Sequence, residues 1–171
     1  MKGDLRALDV RNKKVIVRVD FNVPLSKDFQ VTDDTRLRGA LPTIEYLVEK
    51  GAKIILVSHF ARPLAKLLPD GEIDRNKFSL RHVVPALSAL LGKEVAFFPD
   101  CVGEAVLQKT NELGSGDILL LENTRFHAGE EKGDPAMAAQ LASLGDIYIN
   151  DAFGAAHRAH ASTTVVANHF D

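Results

Sequence analysis

Short apolar runs recur along the chain, separated by longer segments of mixed polarity. The runs cover residues 15–19, 53–57, 95–98, 118–121 and 147–149. Each is too short for a helix and almost wholly apolar, which is typical of strands that are buried on both faces of a sheet. The pattern therefore predicts five buried strands.

The segments between these runs have the apolar spacing of amphipathic helices. The first follows Asp33 or Asp34 as a candidate cap and ends before Gly51. The second lies between Ser79 and Gly92, with Pro85 leaving its start open, and the third covers about 102–113. The fourth is framed by Asp134 as cap, Pro135 at its first position and Gly145 as its end.

Alternating strands and helices joined by right-handed crossovers give a parallel sheet covered by helices on both faces. We therefore expect an α/β fold, a three-layer α/β/α Rossmann-like domain with a parallel sheet of five to six strands. The 171 residues, 46% of them hydrophobic, suit one domain spanning 1–171.

Three predicted strand-to-helix loops are long, at 20–33, 59–78 and 123–133. Long loops in compact domains are usually functional, and these leave the carboxyl ends of parallel strands, where α/β sheets bind ligands. The polar residues at these exits are Asp20, Asn22, Arg36, His59, Arg62, Arg125, His127, Asp151, His157, Arg158 and His160. Arginines gathered at one edge of a chain with net charge −2 predict an anionic ligand.

Other interpretations of these residues stay open. The arginines could form ion pairs with Glu122, Glu130 and Glu131, and His157 and His160 with Asp151 could hold a metal. We expect no metal site. No phosphate loop of a nucleotide-binding protein occurs, and the near miss 114–116 lacks a third glycine. Ser58 beside His59 lacks the flanking glycines of a hydrolase nucleophile.

The composition of the chain argues against several classes of binding partner. The balance of 21 basic and 23 acidic residues argues against nucleic acid, and no apolar run reaches membrane-spanning length. The start, Met-Lys-Gly-Asp, lacks the apolar core of a signal peptide, and Cys101 is the single cysteine, which leaves no intramolecular disulfide. We expect a cytoplasmic protein that does not bind membranes, and a monomer.

Five motifs in order along essentially the whole chain resemble the phosphoglycerate kinase family. They are RVDFNVP at 18–24, TDDTR at 32–36, SHFARP at 58–63, LENTRFH at 121–127 and NDAFGAAHRAH at 150–160. The resemblance implies half of a two-domain enzyme that transfers the acyl phosphate of 1,3-bisphosphoglycerate to ADP, giving ATP and 3-phosphoglycerate in glycolysis. This half is similar to the amino-terminal domain, which binds the triose substrate.

The resemblance also implies roles for individual residues. Asp20 and Asn22 would bind the glycerate end of the substrate, and Arg36 would act as the catalytic residue that stabilises the phosphoryl group in flight. The non-transferred phosphate would be held by a set of cationic residues and one imidazole: His59, Arg62, Arg125 and Arg158. A surrounding basic patch would comprise Arg18, His157 and His160.

Two consequences of the resemblance concern what lies outside this sequence. Magnesium-bound ADP or ATP would be bound by a carboxyl-terminal domain, so we expect no cofactor in this chain and no catalysis by it alone. The alternative is a stand-alone anion-binding module. The chain departs from the family at Phe60-Ala61, where Leu-Gly is common, and over 64–77, so the departures lie on both sides of Arg62.

Overall fold

The computed structural model describes residues 9–127, 130 and 133–151. Its strands are β1 (Lys14–Arg18), β2 (Lys53–Val57), β3 (Ala96–Phe98), β4 (Ile118–Leu121) and β5 (Ile147–Asn150). Its α-helices are α1 (Thr35–Glu49), α2 (Val84–Leu91), α3 (Glu104–Asn111) and α4 (Pro135–Ala142). Short 3₁₀ helices cover Pro63–Ala65, Leu80–Val83 and Thr124–Phe126.

The five strands form one sheet in the order β3-β4-β2-β1-β5, and every neighbouring pair is parallel. The predicted α/β fold with a five-stranded parallel sheet is therefore confirmed. Val15 on β1 pairs with Ile54 on one side and with Ile147 on the other, so β1 lies inside the sheet although it comes first in the chain.

The two faces of the sheet bury separate clusters, as the alternation of side chains along a strand requires. Val17, Leu56 and Leu120 pack with Leu37 and Leu87 of α1 and α2. The alternate positions on the other face pack with α3 and α4 through Ile16, Ile55, Leu119, Val106 and Leu141. The helices thus form the two outer layers of a three-layer domain.

Helix boundaries follow local chemistry. The side chain of Asp134 accepts a hydrogen bond from the Ala136 amide, as expected for an N-cap. Pro85 lies in the first turn of α2, after the 3₁₀ turn Leu80–Val83, so the proline does delay the start of that helix. At the start of α1 it is Asp33, not Asp34, whose carboxylate accepts from the Thr35 amide.

Gly145 has a different role from the predicted one. Helix α4 ends at Ala142, three residues earlier, and Ser143 follows it in right-handed conformation. A Cβ atom added at Gly145 would lie 2.7 Å from Cγ1 of Ile16 and 3.0 Å from the backbone oxygen of Lys14. The glycine is therefore required by close packing of this turn against β1, and not as a helix stop.

We expect Gly145→Ala to destabilise the chain by about 1–3 kcal/mol, because the added methyl group overlaps a buried strand. Gly39→Ala is the matched control, since no atom lies within 4 Å of its added Cβ and alanine favours helix α1. Urea unfolding should move the two variants in opposite directions. Equal or higher stability of Gly145→Ala would contradict the packing assigned to this glycine.

Candidate functional site

The carboxyl ends of β2 and β4 lie at the point where the chain changes direction across the sheet. The loop after β2 leads to α2 on one face, whereas the loop after β4 leads to α4 on the other face. In open α/β sheets ligands bind at such a switch point. The loops that leave here carry the SHFARP and LENTRFH sequences, as the topology predicted.

The buried side chain of Asn123 holds the two loops together. Its Oδ1 accepts hydrogen bonds from the amides of Phe60 and Arg125, at 2.9 Å and 3.0 Å. Its Nδ2 donates to the backbone oxygens of Phe60 and Phe78, at 2.7 Å and 3.0 Å. One amide therefore fixes the β2 exit, the β4 exit and the segment that precedes the Leu80–Val83 turn.

Ala61 connects this clamp to the loop after β1. Its amide donates to Oδ1 of Asn22 at 2.9 Å, and its backbone oxygen accepts from Nη1 of Arg125 at 3.0 Å. Ala61 adopts φ +54°, in the left-handed region that disfavours residues with a Cβ atom. The loop that carries Arg62 is thus held by backbone contacts on both sides of a strained residue.

Arg36 lies in the first turn of α1 and reaches back to the loop after β1. Its Nη1 donates to Oδ1 of Asp20 at 3.3 Å and to the backbone oxygen of Asn22 at 2.5 Å. The side chain remains 51% exposed. Asp20 in turn accepts from the Asn22 amide at 3.1 Å, so the predicted glycerate-binding pair and the predicted catalytic arginine form one cluster.

Arg18 is fully buried at the end of β1 and bonds to His59. Its Nη1 donates to the backbone oxygen of Val19 at 2.6 Å, and its Nη2 lies 2.9 Å from Nδ1 of His59. Because a guanidinium can only donate, Nδ1 must accept and the imidazole proton resides on Nε2. His59 is therefore neutral, with its second nitrogen as a donor.

Burial lowers the pKa of the Arg18 guanidinium, while the neighbouring Glu130, Tyr148 and Asp20 oppose that shift. Tyr148 and Asp151 are also buried, wholly or in part, and their own burial raises the pKa of the Tyr148 hydroxyl and of the Asp151 carboxyl. Glu130 is thus close enough to Arg18 to favour its charged form, although Arg18 is not one of the four arginines of the ion-pair interpretation. For Glu122 the structure shows other partners: its Oε1 accepts from the Leu80 amide and its Oε2 accepts from Oγ of Ser79.

Comparison with known proteins assigns the family. The family model described as phosphoglycerate kinase matches residues 5–171. The chain belongs to the phosphoglycerate kinase family.

Phosphoglycerate kinases from several organisms are similar to this chain. The protein of Picosynechococcus sp. is 53% identical over 169 residues, covering 99% of this chain and 41% of its own length. That of Coprothermobacter proteolyticus is 58% identical over 158 residues, which are 92% of this chain and 38% of the relative. The cytosolic phosphoglycerate kinase of Triticum aestivum is 54% identical over 161 residues. This chain thus spans well under half the length of these curated relatives.

Solved structures show the same relationship. Phosphoglycerate kinase from Coxiella burnetii superposes with a TM-score of 0.79 and 36% identity, covering 95% of this chain and 38% of that one. Phosphoglycerate kinase from Pyrococcus horikoshii superposes with a TM-score of 0.78 and 34% identity, covering 92% of this chain and 38% of that one. The shared fold is therefore that of one part of a phosphoglycerate kinase.

The structure brings most of the predicted phosphoglycerate kinase site residues together at the carboxyl edge. Hydrogen bonds join Asp20, Asn22 and Arg36, continue through Ala61 to Arg125, and separately link Arg18 to His59. Arg62 lies on the same loop with an exposed side chain. The remaining predicted residues, His157, Arg158 and His160, lie outside the described residues.

Sequence reasoning gave no positioning role to Asn123, and it named Glu122 only as a possible ion-pair partner of the arginines. The signal that could have found them is a run of polar residues directly after the buried strand β4, where a buried amide or carboxylate must find hydrogen-bond partners. Both residues are buried, and both bond to backbone groups of the loop after β2 or of the turn that follows it.

The turn Leu80–Val83, which follows the divergent segment 64–77, contacts the hairpin-like loop after β1. Phe29, itself at φ +60°, stacks on His82 with ring centroids 4.3 Å apart. The divergent segment itself exposes three leucines by 40–46%: Leu64, Leu67 and Leu68. The departure from the phosphoglycerate kinase pattern over 64–77 therefore leaves the Asn123 and Ala61 contacts in place.

The opposite edge of the sheet has different chemistry. A cavity of about 540 Å³ there is lined by residues of both charges, including Asp9, Arg11, Glu49 and Lys50. The glycines of the near-miss 114–116 also lie at this edge, and the Gly116 amide donates to the backbone oxygen of Ala52 at 2.7 Å. Their backbone groups form a turn between α3 and β4.

Within the part of the chain that the structure describes, no helix is both long and apolar enough to cross a membrane.

We expect Ala61→Gly to stabilise the chain by about 0.5–1 kcal/mol, because relief of left-handed strain exceeds the added freedom of the unfolded chain. Ala65→Gly, in the adjacent 3₁₀ turn, is the control and should be neutral or destabilising. The site uses only the backbone of Ala61, so ligand binding should survive. Thermal unfolding of both variants checks this, and a destabilised Ala61→Gly would contradict the strain.

Proposed function

We propose that this chain binds 3-phosphoglycerate and 1,3-bisphosphoglycerate at the carboxyl edge of its sheet. The observation that carries the proposal is the hydrogen-bonded network from Arg36 through Asn22 and Ala61 to Arg125. It links the exits of three strands that are far apart in sequence, and it places arginine side chains at the edge where open α/β sheets bind ligands. Membership of the phosphoglycerate kinase family supports the same substrate.

Each side chain has a role that its chemistry suits. Arg62 and Arg125 offer planar sets of donors for the non-transferred phosphate, and the Nε2 proton of neutral His59 adds a donor without a charge. Arg158 would complete this set. Asp20 and Asn22 would bind the hydroxyl and carboxylate end of the glycerate, with the carboxylate of Asp20 as acceptor for the hydroxyl proton.

Arg36 suits a role in phosphoryl transfer because its side chain is half exposed and its ion pair is weak. Its contact with Asp20 is 3.3 Å long and half open to solvent, and exposed ion pairs of this kind contribute about 0–1 kcal/mol. Moving the guanidinium onto the transferring phosphoryl group would give up this weak ion pair and one hydrogen bond, that from Nη1 to the backbone oxygen of Asn22. There it would stabilise the charge that develops in the transition state.

Transfer needs a nucleotide, and the sequence lacks the Gly-x-x-x-x-Gly-Lys-Ser/Thr motif of a phosphate-binding loop. When bound, ADP supplies the oxygen that accepts the acyl phosphate, with Mg²⁺ neutralising its phosphates. We assign magnesium-bound ADP or ATP to the part of the curated relatives that this chain does not span. The chain alone would then hold one reactant, act as a monomeric substrate-binding half in the cytoplasm, and be catalytically inactive.

We expect calorimetric titration of the purified chain to show binding of 3-phosphoglycerate that weakens as salt rises, because exposed charge-assisted contacts are screened. ADP should give no measurable binding. ADP binding tighter than that of 3-phosphoglycerate would overturn the assignment of this half.

Arg62→Ala should weaken 3-phosphoglycerate binding by about 1.5–3 kcal/mol, the usual loss for a hydrogen bond to a charged group. Arg62 is the informative position because its side chain is exposed, whereas Arg125 is buried and also anchors Ala61. Arg11→Ala, which removes the same charge at the opposite edge, is the control. If the two variants bind equally well, the cluster of arginines has only a structural role.

With the missing part of a phosphoglycerate kinase supplied, Arg36→Ala should reduce turnover by roughly 10³-fold, as for arginine fingers, while 3-phosphoglycerate affinity changes far less. Arg38→Ala, two positions along α1 and bonded to Asp34, should retain turnover. Steady-state kinetics separates the two effects. If Arg36→Ala loses affinity but keeps its turnover, Arg36 has no catalytic role. If the chain binds 3-phosphoglycerate but no nucleotide domain makes it active, the alternative of a stand-alone anion-binding module is favoured.

A further inference from the structure

A second cluster of reactive side chains lies at the carboxyl ends of β3 and β4, separate from the proposed substrate contacts. Asp100 and Cys101 follow β3, and His127 follows the 3₁₀ turn after β4. One ligand atom from each of the three lies within 4.8 Å of the other two. Nε2 of His127 is 2.8 Å from Oδ1 of Asp100.

The three groups form a donor set of one thiol, one imidazole and one carboxylate. Thiolate and imidazole together favour zinc and similar transition metals, whereas magnesium and calcium prefer oxygen ligands alone. Zinc bonds to these atoms at about 2.0–2.3 Å, which places neighbouring ligand atoms about 3.3–3.7 Å apart in a tetrahedral site. The observed separations therefore need shifts of only about an ångström.

The site is closed on one side and open on the other. Cys101 is fully buried, whereas the side chains of Asp100 and His127 are 45% and 36% exposed. A cation could thus enter between the two exposed groups and meet the thiol beneath them. The open side leaves room for water or another ligand in the fourth position.

The electrostatic surroundings of Cys101 are negative. Burial is the main cause that raises the pKa of its thiol, and the carboxylates of Asp100, Glu130 and Glu122 raise it further. The same field that disfavours a lone thiolate favours a divalent cation at this position. A bound metal would therefore displace the proton of the Cys101 thiol and hold the sulfur as a thiolate.

We propose that Asp100, Cys101 and His127 form a binding site for a zinc-type divalent cation. Binding exchanges protons for metal: the Cys101 thiol releases one proton as its sulfur bonds to the cation, and His127 moves its proton from Nε2 to Nδ1. The cation takes the place of the hydrogen bond between Asp100 and His127. It joins the exits of β3 and β4, two residues from Arg125.

Cobalt(II) is the probe, because a thiolate ligand gives it a near-ultraviolet charge-transfer band. Titration of the purified chain with Co²⁺ should produce this band at one equivalent, and Zn²⁺ should abolish it. Calorimetry with Zn²⁺ in buffers of different ionisation enthalpy should show release of about one proton, as thiol coordination requires. Affinity should therefore increase with pH.

Cys101→Ser should remove the band, and His127→Gln should weaken Zn²⁺ binding at least tenfold. His82→Gln is the control, since this histidine contacts Phe29 and Asn76 outside the cluster. Circular dichroism verifies that the variants fold. The absence of a thiolate band in the folded wild-type chain, or Zn²⁺ binding that is unchanged in both Cys101→Ser and His127→Gln, would overturn the proposal. Neither result would affect the proposed binding of 3-phosphoglycerate.

Discussion

The hydrogen bonds of one buried amide, that of Asn123, fix the geometry of the ligand-binding edge. A primary amide has two donors and an acceptor oxygen with two lone pairs, and here it uses both kinds toward the backbones of three segments. A carboxylate of the same shape would lack the donors, and an aliphatic side chain would leave several buried backbone groups unpaired. The loops after β2 and β4 could then shift independently, and Arg62 and Arg125 would no longer be presented together.

The arginines at this edge divide into two kinds by burial. Arg18 and Arg125 are buried and bond to backbone oxygens, so their charge is held in a fixed position. Arg36 and Arg62 are exposed, and Arg36 bonds to Asp20 and to the backbone oxygen of Asn22. Buried cations behind exposed ones suit the anion-binding site proposed above.

The strands and helices could be predicted from the sequence because burial on both faces and helical spacing are local signals. The proposed position of the site followed from topology alone, since parallel strands bring their exits to one edge. Three features required coordinates. Neither the partner of Arg18, nor the left-handed backbone of Ala61, nor the packing of Gly145 against Ile16 is encoded within its own segment. Each depends on a chain segment distant in sequence.

The same topology has a consequence for how the chain is made. The first strand pairs with the last described one, and the hydrogen bond from the Lys14 amide to Asp146 spans 132 residues. On the ribosome β1 can pair with β2 early, but its other edge stays open until β5 has been synthesised. Closing so long a loop is slow, and an open apolar edge invites pairing with other chains. Early synthesis is thus the stage at which this edge is most open to pairing with other chains.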